Sequence, residues 1–303
     1  MHSSSLPNNP NKKQRLNPPQ SISTIITPNT KKPLVPPTLL PPPDIPTTDP
    51  SIWDNALLLV DKPKGWTSFD VCNKIRGTLA KLLNKKPKNI KVGHAGTLDP
   101  MATGLLIICV GKGTKSIDTF MAQEKGYKGT IRLGQGTPSY DAESEVNEEL
   151  PWEHITDDQL MAAVNAKFIG DNLQQVPPMF SAIRVDGKRL YELARKGDEV
   201  ERKPRSIIVD SFVLSKRTRR KDDDNSNDHG ASHTQTKRDI DFEVHCGKGT
   251  YVRSLAYDLG REVGTVAHLT ALRRITIGEY KVDDAWSVDD LIRGIINDNS
   301  TSN

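Results

Sequence analysis

The sequence predicts an α+β fold. Strand-like and helix-like patterns are interspersed along the 303 residues with no regular βαβ repeat. The two clearest alternating segments, 206–215 and 239–246, read as an antiparallel hairpin, which a doubly wound parallel sheet does not need. No internal repeat is present, and the length suits one large domain or two small ones.

The elements follow in order. Residues 1–50 are rich in Pro, Ser, Thr and Asn and contain PPTLLPPPDIP at 36–46. Such a segment cannot bury enough apolar surface to offset its ordering entropy, so a disordered tail is expected. NALLLVDKP (55–63) opens a buried strand. Thr67 and Asp70 form a capping-box pattern that starts a helix with Cys72, Ile75, Leu79, Leu82 and Leu83 on its apolar face. GLLIICVG (104–111) is a buried strand, and YKGTIRLGQ (127–135) points Tyr127, Ile131 and Leu133 inward. Thr156 and Gln159 cap a second helix, with Leu160, Ala163, Val164 and Phe168 inside and Gly170 as its stop. The hairpin comes next, with a low-complexity insertion at 217–238 expected to be disordered, since loop closure costs little more per added residue. After GKGTY a helix presents Val252, Leu255, Ala256, Leu259 and Val263, ending at Gly264.

Composition removes several function classes. The formal net charge is +4, but residues 1–50 hold five Lys/Arg against two Asp and the remainder holds 37 against 36. An anionic partner must therefore be argued from local clusters. Cys72, Cys109 and Cys246 form no CxxC pair and read as buried thiols. No run of about 18 apolar residues occurs, so a membrane span is not expected. His229 and His233 are four apart but lie in the low-complexity insertion, so no metal site is expected. VGKGTK lacks the Walker glycine, because position 106 is Leu106, and HCGKGTYVR has Val252 where a dinucleotide fingerprint needs glycine. No G-x-S-x-G elbow occurs. No nucleotide cofactor is expected.

What remains is VGHAGTLDPMATGLL at 92–106. Between Asp70 and Asp118 the only acid is Asp99, among Lys74, Arg76, Lys81, Lys85, Lys86, Lys88, Lys91, Lys112 and Lys115. Pro100 disfavours the helical region for Asp99, and Gly93 and Gly96 around His94 permit a tight loop that approaches a ligand closely. Two readings of Asp99 are open here. One is an Asx-turn residue before proline. The other is an ionised carboxylate, too weak a base for proton abstraction but suited to act as a nucleophile or to stabilise a developing cation on a nucleic-acid sugar or base.

GHAGTLDPMATGLL resembles the signature of the TruB family of pseudouridine synthases. VDKPKGWTS (60–68) is similar to its N-terminal motif and EKGYKGTIRLGQGTPSYDAE (124–143) to its tyrosine motif. QVPPMFSAIRVDGKRLYELARKG (175–197) is similar to its RNA-gripping insertion, and KGTYVRSLAYDLG and AHLTALRR follow in the family's order. The resemblance spans roughly Asn55 to Leu291. It implies the pseudouridine synthase fold, a mixed and mostly antiparallel sheet flanked by helices, over 51–298, with a thumb-like insertion at 175–205.

The resemblance implies an isomerase that needs no cofactor or metal. A uridine is flipped out of RNA, its N-glycosidic bond is broken, and C5 is rejoined to C1′. Asp99 maps to the catalytic aspartate, Tyr127 to the active-site tyrosine, and Arg253 to the arginine that pairs with the carboxylate. Tyr251 and Leu272 map to the pocket wall, His94, Gly96 and Thr97 to the loop beside the flipped nucleotide, and Lys62 with Pro63 to its support. Read alone, Tyr127 and Leu272 are equally core residues, and Arg253 would be a surface residue. The segment 184–205, with eight Lys/Arg against five Asp/Glu, suits an RNA backbone.

The expected substrate is the T-loop uridine at position 55 of tRNA, with mRNA sites left open. The short end after SVDDLIRGIINDN lacks the family's PUA-type domain, which argues against a guide-RNA-dependent rRNA subunit. With the Pro-rich head and the insertion, it looks like a stand-alone eukaryotic, fungal-type enzyme. Asn11–Arg15 suggests the nucleus, and the scarcity of acids suits a mitochondrial presequence. A monomer without protein partners is expected. A non-catalytic chaperone that grips the tRNA T-arm is the competing reading.

Overall fold

The computed structural model describes residues 35–43, 49–215 and 238–297. The first strand, β1 (Thr38–Leu39), precedes β2 (Asn55–Lys62), α1 (Ser68–Leu82), β3 (Val92–His94), β4 (Thr103–Gly111), α2 (Ile117–Ala122) and β5 (Lys125–Leu133). Short β6 (Gln135–Gly136) and β7 (Glu148–Glu149) pair with each other before α3 (Asp157–Lys167) and β8 (Gly170–Gln175). Then come the β9 (Arg184–Val185) and β10 (Lys188–Arg189) ribbon, α4 (Leu190–Ala194), β11 (Arg205–Leu214) and β12 (Asp239–Cys246). The chain continues through α5 (Val252–Glu262), β13 (Ala267–Ile277), β14 (Tyr280–Lys281), β15 (Trp286–Ser287) and α6 (Val288–Asn297).

Eleven of the described strands form one mixed sheet, ordered β1-β2-β4-β13-β5-β12-β11-β8, with β3, β14 and β15 attached to β4, β13 and β2. Most pairs are antiparallel; β1–β2, β15–β2 and β4–β13 are parallel. This is the mixed, mostly antiparallel sheet expected. The hairpin is β11–β12, whose strands exchange partners from Val209↔Cys246 to Leu214↔Phe242.

Strand alternation sorts side chains into three cores. Tyr127, Ile131 and Leu133 of β5 pack with Leu160 and Val164 of α3 and Leu255 and Leu259 of α5. Ala56, Leu58 and Val60 of β2 pack with Ile75 and Leu79 of α1 and Leu291 and Ile295 of α6. On the other side of β2 and β4, Leu57, Leu59, Leu105 and Ile107 meet Phe120 of α2 and Val282. The capping box at α1 is formed: Asp70 N donates to Thr67 Oγ1 at 3.1 Å and Thr67 N to Asp70 Oδ2 at 2.9 Å.

Three expectations change. Residues 38–40 are not a disordered tail: β1 pairs with β2, Leu40 N donates to Leu57 O at 2.9 Å, and the Leu40 side chain is buried. A Pro-rich run is already extended, and one leucine in it suffices to anchor a sheet edge. Residues 1–34 and 44–48 of that predicted tail, and 217–237 of the predicted insertion, lie outside the described residues. Gly170 does not stop α3; the helix ends at Lys167 with Phe168 as its cap, and Gly170 opens β8. The room beside Gly93 is taken by Ile117, whose Cδ1 lies 2.7 Å from where a Cβ would stand, so the missing side chain makes way for α2.

Candidate active site

Asp99 sits on the loop between β3 and β4. The loop is fixed from both flanks. Ser68 Oγ at the start of α1 accepts from Leu98 N at 2.8 Å and donates to Leu98 O at 3.2 Å. On the other flank, Ala102 N donates to Asp99 O at 3.1 Å, closing a turn through Pro100 and Met101. The Met101 N–H, which an Asx-turn would direct to the Asp99 side chain, donates instead to Glu143 Oε1 at 2.5 Å. The Asp99 carboxylate is thereby left for other work, and the turn reading accounts for its backbone alone.

Its partner is Arg253, on the first turn of α5. Arg253 Nε lies 2.8 Å from Asp99 Oδ2, and Nη2 donates to Asp99 Oδ1 at 3.1 Å, a two-point pairing that fixes the carboxylate plane. The other donors are used too: Nη1 to Ser139 O at 2.7 Å and Nη2 to Phe180 O at 2.8 Å. A second carboxylate, Asp141, lies 3.4 Å from Nε and accepts from Ser139 Oγ at 2.5 Å. The Arg253 side chain is 5% exposed and that of Asp141 1%, whereas that of Asp99 is 33% exposed. The cation is thus enclosed, and of its two acids only Asp99 opens to solvent. Burial pushes the Asp141 carboxyl up from its ordinary range while Arg253 pulls it back down; burial also raises Glu143.

Lys62, fully buried at the end of β2, supports the loop from below. Its Nζ donates to Pro63 O at 3.0 Å, Trp66 O at 2.6 Å and Pro100 O at 3.3 Å, binding the first motif to the residue after Asp99. Burial lowers its pKa to about 8, against the pull of Asp99 and Glu143. Pro63 contributes only its carbonyl.

Tyr127 is buried on β5, and burial pushes its phenol upward in spite of the Arg274 guanidinium beside it. Leu272 on β13 pairs across to Gly129 and packs in the same core as Tyr127, Leu98 and Met101. Tyr251, the cap residue of α5, exchanges backbone hydrogen bonds with the Gln175 side chain at 2.8 and 3.1 Å. Burial raises its phenol as well. His94 is half-buried on β3, and burial and Arg274 hold its imidazole below the ordinary value. Gly96 has φ +93, a left-handed turn, and its carbonyl accepts from Arg274 Nη2 at 3.1 Å; Thr97 is exposed beside it.

The sequence reading missed Arg274, Asp141, Ser139 and Glu143. Arg274 is 1% exposed and also donates to Leu105 O at 2.7 Å, so one guanidinium, lying beside Tyr127, joins Gly96 to β4. Strand alternation could have found it, since it shares a face with Leu272 two residues earlier. Asp141 and Glu143 lie inside the SYDAE stretch but look like surface acids without the fold. Among the described residues no cluster of metal-ligating side chains is present. A cavity of about 810 Å³ is lined by Lys128, Thr130, Asp241, Glu243 and Arg273, with Met101 and Leu272 also on its wall, and does not include Asp99.

Comparison with known proteins fits this geometry. The model of the TruB family pseudouridylate synthase N-terminal domain matches residues 81–252, and that of the tRNA pseudouridylate synthase B C-terminal domain matches 253–302. The tRNA pseudouridine synthase B of Parabacteroides distasonis is 45% identical over 235 residues, covering 78% of this chain and 91% of that one. Its counterpart in Phocaeicola vulgatus is 44% identical over 236 residues, with the same coverage. A solved Cbf5-Nop10-Gar1 complex contains a chain that shares the fold at a TM-score of 0.52 and 24% identity; the match covers 78% of this chain and 53% of that one. The sheet, the Asp99 loop and these matches together identify the chain as a member of the TruB family of pseudouridylate synthases.

Proposed function

We propose that the chain isomerises a uridine of tRNA to pseudouridine, with Asp99 initiating cleavage of the N-glycosidic bond. The C1′–N1 bond breaks, the uracil turns, C1′–C5 forms, the C5 proton leaves and N1 takes one up. No oxidant or reductant is needed. The observation that carries the reading is the two-point Arg253–Asp99 pair on a loop whose Leu98 and Met101 N–H groups are engaged by Ser68 and Glu143. It holds an anion in one orientation at the mouth of an otherwise enclosed charge network, ready for a flipped nucleoside. Family membership and relatives named tRNA pseudouridine synthase B supply the reaction and the RNA class.

In this reading Tyr127 and Leu272 sandwich the uracil. A phenol raised by burial stays protonated at neutral pH, which favours stacking over proton abstraction for Tyr127. Tyr251, His94, Gly96 and Thr97 line the entrance, and Lys62 braces it. The T-loop uridine at position 55 is the site proposed, with mRNA uridines as further substrates. The segment 175–205 is the RNA-gripping insertion of a 51–298 catalytic domain acting as a monomer, in a nuclear or mitochondrial setting.

The test is a T-arm stem-loop assayed for pseudouridine with no added cofactor or metal. Wild-type protein converts it, and Asp99→Ala lowers the single-turnover rate by about 1,000-fold or more while RNA affinity stays within about threefold. A wild-type protein that makes no pseudouridine, yet binds the RNA, would leave the T-arm chaperone reading in its place.

A further inference from the structure

Between Ser139 and Asp141, the two residues that hold Arg253 from behind, stands Tyr140 with φ +62. An aromatic residue in the left-handed region is strained, and glycine would take the same turn freely. The turn it makes has a use. With Tyr140 reversed, the Ser139 carbonyl and the Asp141 carboxylate both face the same guanidinium, which a plain extended strand would not allow for a carbonyl and a side chain at these two positions.

The ring shows what keeps a tyrosine there. It stacks on Tyr257 with centroids 4.0 Å apart and planes 20° from parallel. Tyr257 is four residues after Arg253 on α5, so the stack covers the same helix face one turn on. Arg261 lies over the Tyr257 ring at 5.2 Å. The Tyr140 hydroxyl lies beside the Arg202 guanidinium, whose Nη1 donates to Pro177 O at 3.2 Å. The backbone is pinned as well: Tyr140 N donates to Thr137 O, and Tyr140 O accepts from Leu269 N, each at 3.1 Å.

We propose that Tyr140 is a positioning residue of this reaction: its ring, clamped between α5 and the 175–205 segment, holds the left-handed turn that aims Ser139 and Asp141 at Arg253, and so sets the orientation of Asp99. The inference rests on the function proposed above and adds a residue that touches neither substrate nor Asp99.

The test uses the full chain and two variants. Tyr140→Gly removes the ring; glycine can enter the turn without strain, so the fold is kept, but nothing then confines the backbone to it. Tyr257→Ala removes the other half of the stack and leaves Tyr140 in place. Single-turnover rates on a T-arm stem-loop, RNA dissociation constants, melting curves and the Arg253 Nε–H resonance of ¹⁵N-arginine-labelled protein are measured for each. Both variants are expected to slow the saturated rate about 10- to 100-fold with RNA affinity within about twofold, as for a small misplacement of a catalytic group. Both should also lose or broaden the Arg253 resonance, and Tyr140→Phe, which keeps the stack, should restore most of the rate and the signal. Wild-type rate and resonance in both variants would overturn the proposal, as would rate losses that track a matching fall in melting temperature and RNA affinity. If wild-type protein makes no pseudouridine, the functional reading fails, and the Arg253 resonance alone decides the role of Tyr140.

Discussion

Lys62 departs far from the usual behaviour of a lysine. An ammonium has three N–H donors, and Lys62 directs them at three carbonyls, the last being Pro100 O beside Asp99. With a pKa of about 8, it loses one donor just above neutrality, and the loop loses a tie. The catalytic rate is therefore expected to fall as pH rises through about 8. Lys62→Arg, charged at every accessible pH, should remove that step from the rate–pH profile even if its absolute rate is lower. Stability has the opposite sign. The folded value lies below the unfolded 10.5, so burying the charge costs stability in full below about pH 8, and that cost is relieved between pH 8 and 10.5. Lys125, also lowered to about 8 by burial, adds in the same direction. An activity loss unaccompanied by a fall in melting temperature is thus the signature; a profile shared by wild type and Lys62→Arg would reject it. None of this was legible in the sequence beyond Lys62 as a loop support, because an isolated lysine reads as a solvated charge.

At the scale of elements, the Asp99 loop feeds straight into β4, and its exit is governed by Gly104. That residue has φ +103, and a Cβ there would stand 2.2 Å from Arg274 O and 2.7 Å from Arg274 N. Gly104 pairs in parallel with Arg274, so β4 and β13 meet at the arginine that binds Gly96 and lies beside Tyr127. Gly104→Ala is expected to cost about 3–5 kcal/mol, since backbone cannot yield as a side chain does. It should also lower activity more than an equally destabilising change in α6, as judged by urea melts and single-turnover rates. A loss below about 1 kcal/mol would contradict the parallel contact. The glycine was visible in ATGLL, but its purpose was not, for it depends on a strand 170 residues on. The capping box of α1, the apolar face of α5 and the alternation of β5 were legible because each is written in residues three or four apart, or two.

For the described molecule, the hairpin and the α+β class could be read directly, whereas the order of the sheet could not. β13 lies between β4 and β5, joined to one in parallel and to the other in antiparallel register, and no local signal specifies such a crossing. The two family models meet at residues 252 and 253, in the first turn of α5, yet the sheet passes through both parts without interruption. A fragment ending at Val252 would lack β13 and leave facing edges of β4 and β5 unpaired. It is expected to show no cooperative melt by circular dichroism, and adding the 253–303 fragment in trans should restore one; a cooperative transition for the shorter piece alone would refute this. Buried Arg253 and Arg274 mark the same limit of sequence reading, since a charge is judged external until the fold encloses it.

The stretch from Val92 to Ala102 has no hydrophobic core of its own. Val92 belongs to the core under α1, Ala95 to the core on the far side of β4, and Leu98, Met101 and Ala102 to the core under α5. Asp99 is therefore located as a surveyor locates a point, by sightings on three separate landmarks. No single landmark can shift without an error appearing at the carboxylate. Such a loop has little freedom to act as a lid, so a flipped nucleotide must come to it, and heat should silence the enzyme where it melts the protein and not before.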